Sequence, residues 1–395
     1  MQDNFTAVER EMNNVLLERE AEVHSALLAI IAKRHLFMFG APGIAKSLLV
    51  DQLTEHITDA VKFKWLLTKH SVPEEIYGGP DLLTLKDTGI YRRVTDGKLP
   101  KAHFAFLDET FKANSAILNS LLKILNENEF DNPGDEPHVP LISLFAASNE
   151  LPTSSELNAL ADRLHLWHYV QPIHDTSNFV KMLEAEDHEP ENTISLEDIR
   201  TAQIEAANVR IDDDVYGALV ELAARLREEE IIVSDRRFKQ SLSIIRAEAW
   251  LNGCDVAEVV HTKPLQHMMW RDPSQIITVR TAVYDLADPI ERDVLILRDE
   301  WNVAYTAYRE TMSDNFASGR KADHTLEIFK KFKSCKKEVT SLRKRCEEMN
   351  RTCKALDDFT NLLKEVGPAL LEEGFEVDRK DAEDLNSMLE KRDDV

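Results

Sequence analysis

The stretch Phe37-Met38-Phe39-Gly40-Ala41-Pro42-Gly43-Ile44-Ala45-Lys46-Ser47 decides how the rest of the chain is read. Leu36 to Phe39 is an apolar run of strand length, a tight loop follows, and Leu48-Leu49-Val50-Asp51-Gln52-Leu53 opens a helical pattern. Strand, loop and helix in that order are the context of a phosphate-binding loop. Its backbone N–H groups wrap phosphate oxygens, and the helix N-terminus adds a favourable dipole. Gly40, Ala41, Pro42, Gly43, Ile44 and Ala45 supply the cradle. Lys46 reaches the β- and γ-phosphates of a nucleotide such as ATP, and the Ser47 hydroxyl holds magnesium. The general pattern G-x-x-x-x-G-K-[ST] has glycine where Ala45 stands. Alanine is accommodated there if it keeps an ordinary φ, because a Cβ is penalised chiefly at positive φ.

Two more apolar runs end in polar residues. Phe104-Ala105-Phe106-Leu107 runs into Asp108-Glu109, and Leu141 to Ala147 runs into Ser148-Asn149. Continuous apolar runs of this length read as strands buried on both faces of a parallel sheet, so the expected class is α/β. Such sheets bind ligands at the carboxyl ends of their strands. Asp108 then binds magnesium, directly or through water, and Glu109 orients and polarises the water that attacks the γ-phosphate. Asn149 is placed to hydrogen-bond the γ-phosphate or that water.

Composition sets the bounds. The 395 residues suffice for two or three domains, and 43% hydrophobic content marks a folded chain rather than a disordered one. No run approaches a membrane span, and a start carrying Asp3 and Glu9 is no secretory signal. Cys254, Cys335, Cys346 and Cys353 lack metal-ligand spacing and suggest no disulfide framework, so a reducing cytoplasm is the expected compartment. The net charge is −23. Residues 301–395 hold 18 of the 48 basic and 20 of the 71 acidic side chains, leaving 30 against 51 in residues 1–300. So acidic a body repels a phosphate backbone, and nucleic acid is not the expected partner.

Outward from the loop, residues 3–33 read as one or two helices and Phe63-Lys64-Trp65-Leu66-Leu67 as a strand. Residues 78–100 suggest a hairpin turning at Asp96-Gly97. Ser115 to Asn126 is helical, and Ala159-Leu160-Ala161-Asp162-Arg163 is a short helical segment ending in arginine. Residues 175–205 suggest a linker or loose helices, and helical patterns resume from Asp213 and again from Ser234-Asp235-Arg236-Arg237. From Ile328 to Leu363, apolar residues recur in steps of three and four through Phe332, Cys335, Val339, Leu342, Cys346, Met349, Cys353 and Leu356. That heptad seam predicts one long helix, paired as a hairpin with the face of Leu297, Trp301, Ala304, Tyr305, Tyr308 and Met312. Between Lys330 and Lys354 this helix carries ten basic and three acidic residues. It reads as a solvated face docking on the acidic body, or as a nucleic-acid-binding helix, although no aromatic residues interleave the basic ones as base-stacking platforms.

Taken together, the motifs resemble an AAA+ ATPase of the MoxR family, and specifically its RavA branch, over about residues 10–285. The P-loop resembles that branch's own variant, with alanine before the lysine. Phe106-Leu107-Asp108-Glu109 matches Walker B, and Ala147-Ser148-Asn149-Glu150-Leu151-Pro152 is similar to sensor 1. The resemblance implies that Arg163 is an arginine finger and that Arg236, or failing it Arg237, is sensor 2. Residues 89–97 correspond to the helix-2 insert and Asn128 to Pro140 to the hairpin before sensor 1, both facing the pore of a ring. It further implies an AAA+ αβα domain over 1–175, an α-helical lid over 195–265 and a helical hairpin module over 266–395. The expected activity is ATP hydrolysis with Mg2+ by a hexameric, chaperone-like remodeller of protein clients, with a von Willebrand A domain protein as partner. The alternative is a nucleic-acid-dependent motor of the same helix-2-insert clade. Residues 266–312 and 326–390 resemble that branch's helical module alone, so the small β-rich domain that RavA proteins insert in it is not expected here.

Overall fold

A computed structural model describes residues 2–185, 189–313, 318–349, 352–375 and 380, so residues 381–395 of the expected C-terminal module lie outside it. Helices α1 (Gln2–Val15) and α2 (Glu20–Ile31) lead into β1 (Leu36–Phe39) and α3 (Lys46–Glu55). Next come β2 (Ile57–Thr58), β3 (Lys62–Leu66), α4 (Pro73–Tyr77), α5 (Leu82–Thr88), β4 (Phe104–Asp108), α6 (Ser115–Glu127), β5 (Ser143–Ser148), α7 (Ser155–Arg163) and β6 (Leu166–Tyr169). Then follow α8 (Thr176–Glu184), β7 (Ile194–Ser195), α9 (Leu196–Asn208), β8 (Arg210–Ile211), α10 (Asp213–Glu228), α11 (Asp235–Leu251) and β9 (Val256–Ala257). Helices α12 (Ile276–Ala287), α13 (Pro289–Ser313), α14 (Ser318–Glu348) and α15 (Lys354–Phe375) complete the order.

The main sheet runs β3-β4-β5-β1-β6 with every pairing parallel, the α/β class the apolar runs call for. Its central strand β5 is buried along its whole length. Phe37 of β1 meets the Trp167 ring edge-on at 4.7 Å, and Trp270 packs on Trp167 at 5.6 Å. Parallel order puts the residues after β1, β4 and β5 at one edge of the sheet and those before β1, β5 and β6 at the other. Helix α6 follows the helical period, burying Ile117, Leu118, Leu121 and Ile124.

Three local expectations are corrected. Residues 78–100 hold no β-hairpin: a single bridge between Pro80 and Arg93 closes a loop that carries α5, capped by Asp81. The Asp96-Gly97 turn forms, with the Lys98 N–H donating to the Thr95 carbonyl, but it lies outside that bridge. Residues 175–205 are α8, β7 and α9 rather than a linker, and α9 buries Ile199, Ala202 and Ala206 against its neighbours. The heptad seam is divided between α14 and α15 instead of forming one helix, and Met349 at the end of α14 is exposed.

Two compact units divide the chain between Val283 and Tyr284, beyond the boundary expected at 265. In the second, α13, α14 and α15 form a three-helix arrangement rather than a hairpin. Its core gathers Trp301, Tyr308, Phe332, Val339, Leu342 and Leu356 with the seam cysteines Cys335, Cys346 and Cys353. Basic residues of α14 pair with acids of the adjoining helices: Lys331 with Glu300 at 2.6 Å, Arg345 with Asp293 at 2.9 Å, Arg343 with Asp357 at 2.9 Å. Among the described residues, no helix is long and apolar enough to cross a membrane.

Candidate active site

The loop after β1 is built by backbone conformation. Gly40 is so close to the next strand connection that a Cβ there would lie 2.4 Å from the Val170 carbonyl oxygen. Gly43 has φ 81° and Ala45 has φ 67°. The ordinary φ expected for Ala45 is therefore corrected: its Cβ sits in the left-handed region, at a cost on the order of 1 kcal/mol. Lys46, buried at the first turn of α3, donates to the carbonyls of Gly40 at 2.5 Å and Ala41 at 2.8 Å. Burial pulls its pKa down, while Asp108 and Glu109 work to hold it up.

These groups share one cleft of about 230 Å³ lined by Pro42, Gly43, Ala45, Lys46, Ser47, Leu48, Asp108 and Glu109. Asp108 ends β4 and accepts the Glu109 N–H at 2.9 Å. Glu109 is left-handed, φ 52°, and its Oε2 lies 3.2 Å from Lys112 Nζ. The donor set fits a magnesium nucleotide: a loop whose carbonyls turn toward an ammonium group, a hydroxyl, and two carboxylates at the same edge. Lys46 and the loop amides would hold the phosphates, with Ser47 and Asp108 holding the metal. Asn149 follows β5 directly at this edge and is exposed, beside a contact in which the Gly40 N–H donates to the Ser148 carbonyl.

The arginines lie elsewhere. Arg163 ends α7 and lines a cavity of about 700 Å³ with Lys33, Arg34, His35, Asn126, His138, His165 and Arg236. Lys33 to His35 precede β1, Ile142 precedes β5 and His165 precedes β6, so this cavity opens at the amino edge of the sheet, away from the P-loop. Arg163 Nε donates to Asn126 Oδ1 at 3.0 Å and Nη1 to the Ala159 carbonyl at 2.8 Å. Burial, then the like charge of Arg236, lowers its pKa.

Arg236 is exposed, while Arg237 beside it is 2% exposed. The Arg237 guanidinium donates to the carbonyls of Ala161, Leu164, His165 and Met268. Those contacts tie α11 to the end of α7, helped by Arg271 paired with Asp162 at 2.7 Å. Arg237 is thus occupied as a fastener, while the Arg236 side chain stays exposed. Sequence reasoning missed Asn126, whose partner Arg163 is visible only once α6 and α7 are packed, and Lys112, which pairs locally with Glu109 across the 3-10 turn.

Comparison with known proteins agrees with this geometry. A family model for the MoxR domain of MoxR-vWA-beta-propeller ternary systems matches residues 3–209, and one for an AAA lid domain matches residues 214–283. The uncharacterized protein MJ0079 of Methanocaldococcus jannaschii is 40% identical over 289 residues, 73% of this chain and 76% of its own. The uncharacterized protein MJ0812 of the same organism is 34% identical over 361 residues, 91% of this chain and 95% of its own. A crystal structure of an ATPase candidate from Cytophaga hutchinsonii superposes with a TM-score of 0.57 at 18% identity, covering 72% of this chain and 93% of that one, a likeness of fold. With a family match spanning more than half its length, over the loop after β1, the strand β4 and helix α7 just described, the chain belongs to the MoxR family of AAA+ ATPases.

Proposed function

We propose that this chain hydrolyses ATP as a subunit of a ring, hexameric by the RavA-branch resemblance, and remodels protein complexes in the cytoplasm with a von Willebrand A domain partner. The observation that carries the reading is the division of charged groups between the two edges of the sheet. Lys46, Ser47, Asp108 and Glu109 line one cleft, and Arg163 and Arg236 line another. One chain therefore holds half of a phosphoryl-transfer site at each edge, and a closed ring joins the halves of neighbours. The vWA partner is supported by the description of the matched family, and the RavA branch by alanine at position 45.

Bound MgATP supplies the phosphoanhydride bond that is cleaved. Glu109 then orients the attacking water, which first requires its carboxylate to leave Lys112. Lys46 holds phosphate charge, and Asn149 steadies the γ-phosphate end. Arg163 and Arg236 come from the neighbouring subunit, as finger and sensor 2, to meet charge that grows on the transferred group.

Subunit mixing tests this. Arg163→Ala should bind an ATP analogue yet hardly turn over, and Lys46→Ala should fail to bind. Where an Arg163→Ala subunit holds ATP beside a Lys46→Ala subunit, one complete site forms and activity returns in part. No recovery, in rings shown by mass to contain both variants, would refute action in trans.

A further inference from the structure

We propose that Asn126 is the positioning residue of Arg163, and that α6 and α7 act as one bar linking a subunit's own Walker B strand to the finger it offers its neighbour. The inference rests on the reading of Arg163 as a finger acting in trans. An arginine at the end of a helix samples many rotamers, which dilutes any single useful orientation. Two contacts restrict it here: Nε to Asn126 Oδ1 at 3.0 Å and Nη1 to the Ala159 carbonyl at 2.8 Å. Neither contact uses Nη2. The side-chain acceptor is a neutral amide, so it aims the guanidinium without cancelling the charge a γ-phosphate needs. A carboxylate at the same place would do both.

The position of Asn126 gives the contact its meaning. Helix α6 starts directly behind Glu109, after a single 3-10 turn over Thr110–Lys112 and the cap Asn114. Asn126 lies in its last turn. At the opposite end of the pair, Ser115 Oγ donates to Glu156 Oε2 at 2.6 Å. The two helices are thus tied at both ends, Ser115 to Glu156 and Asn126 to Arg163. A shift of α6 that follows rearrangement at Glu109 is delivered to the finger through Asn126.

Asn126 is exposed, so Asn126→Ala and Asn126→Ser should fold. In purified rings, both should lower kcat about tenfold, the expected cost of one hydrogen bond to a charged group. Affinity for an ATP analogue should stay at the parent value. Asn126→Ala mixed with Lys46→Ala should recover activity as Arg163→Ala does, and in an Arg163→Ala background Asn126→Ala should add no further loss. A parent kcat for Asn126→Ala, beside an inactive Arg163→Ala, would overturn the positioning role and leave the finger intact. Loss of analogue binding by either Asn126 variant would overturn it by marking a merely structural contact. Failure of Arg163→Ala itself to recover with Lys46→Ala would instead sink the reading beneath it.

Discussion

The two edges of the sheet are made in different ways. The carboxyl edge is built from contiguous sequence: one loop of backbone amides between β1 and α3, and carboxylates at the last residues of a strand. The amino edge is built from side chains drawn from separate segments, Lys33 before β1, Asn126 on α6, Arg163 on α7 and Arg236 on α11. The first kind of site depends on local conformation, and the second on how elements pack. Substitutions should therefore fail differently at the two edges.

The largest effect belongs to the amino edge. Removing the Arg163 guanidinium should lower turnover by about 10³–10⁵ while an ATP analogue still binds, read by steady-state hydrolysis beside analogue titration. If binding fell as well, the two edges would not be separate sites.

Next is Arg237→Met, which leaves the buried carbonyls of Ala161, Leu164, His165 and Met268 without their donor. Chemical denaturation should show a loss of about 3 kcal/mol. An unchanged midpoint would mean that the fastening between α7 and α11 is idle, and would weaken the distinction between Arg237 and its exposed neighbour.

A change away from both edges serves as the control. The charged His24 ring donates from Nδ1 to Glu9 at 2.8 Å and from Nε2 to Glu248 at 2.7 Å, joining α1, α2 and α11. Burial works against its charge, but Glu248 and Glu9 outweigh it and hold the pKa up at about 10. The folded value lies above the unfolded value near 6.5, so the ion pairs stabilise fully below pH 6.5 and are lost as pH rises toward 10. His35 behaves oppositely: burial and then Arg34 push it down to about 3, so stability falls as pH drops from 6.5 toward 3. In denaturant titrations at pH 7 and pH 9, His24→Gln should lose less stability between the two than the parent does. Equal losses would refute the assignment to His24.

The smallest effect returns to the carboxyl edge. Ala45→Gly removes Cβ strain at φ 67° but adds unfolded-chain freedom, so stability should stay within about 1 kcal/mol of the parent. A valine there, β-branched at positive φ, should cost clearly more. Equal melting of Gly and Val variants would argue that the left-handed turn is not held in solution.

This contrast also explains what the sequence disclosed. The apolar runs ending at Phe39, Asp108 and Ser148 identified three adjacent parallel strands and the groups at their ends, because burial on both faces leaves a plain signature. The conformation of Ala45 was illegible, since alanine argues for the opposite φ and only the loop's closure imposes it. Residues 78–94 misled because a closing bridge and a helix of seven residues leave a pattern as short as a hairpin's. The seam from Ile328 to Leu363 kept its period across the gap between Glu348 and Lys354, so periodicity alone could not find the break. Asn126 was silent because nothing local marks the partner of a residue 37 positions away.

The buried seam cysteines give the C-terminal helices a chemical clock. Burial raises the pKa of the Cys335 and Cys353 thiols, which leaves little reactive thiolate while α13, α14 and α15 stay together. Cys254, in the first unit, is only part-buried, so an alkylating reagent should reach it without any such separation. In one reaction vessel the early label then counts chains, and the late labels time each parting of the helices. ATP turnover can be followed alongside without a dye at either edge of the sheet.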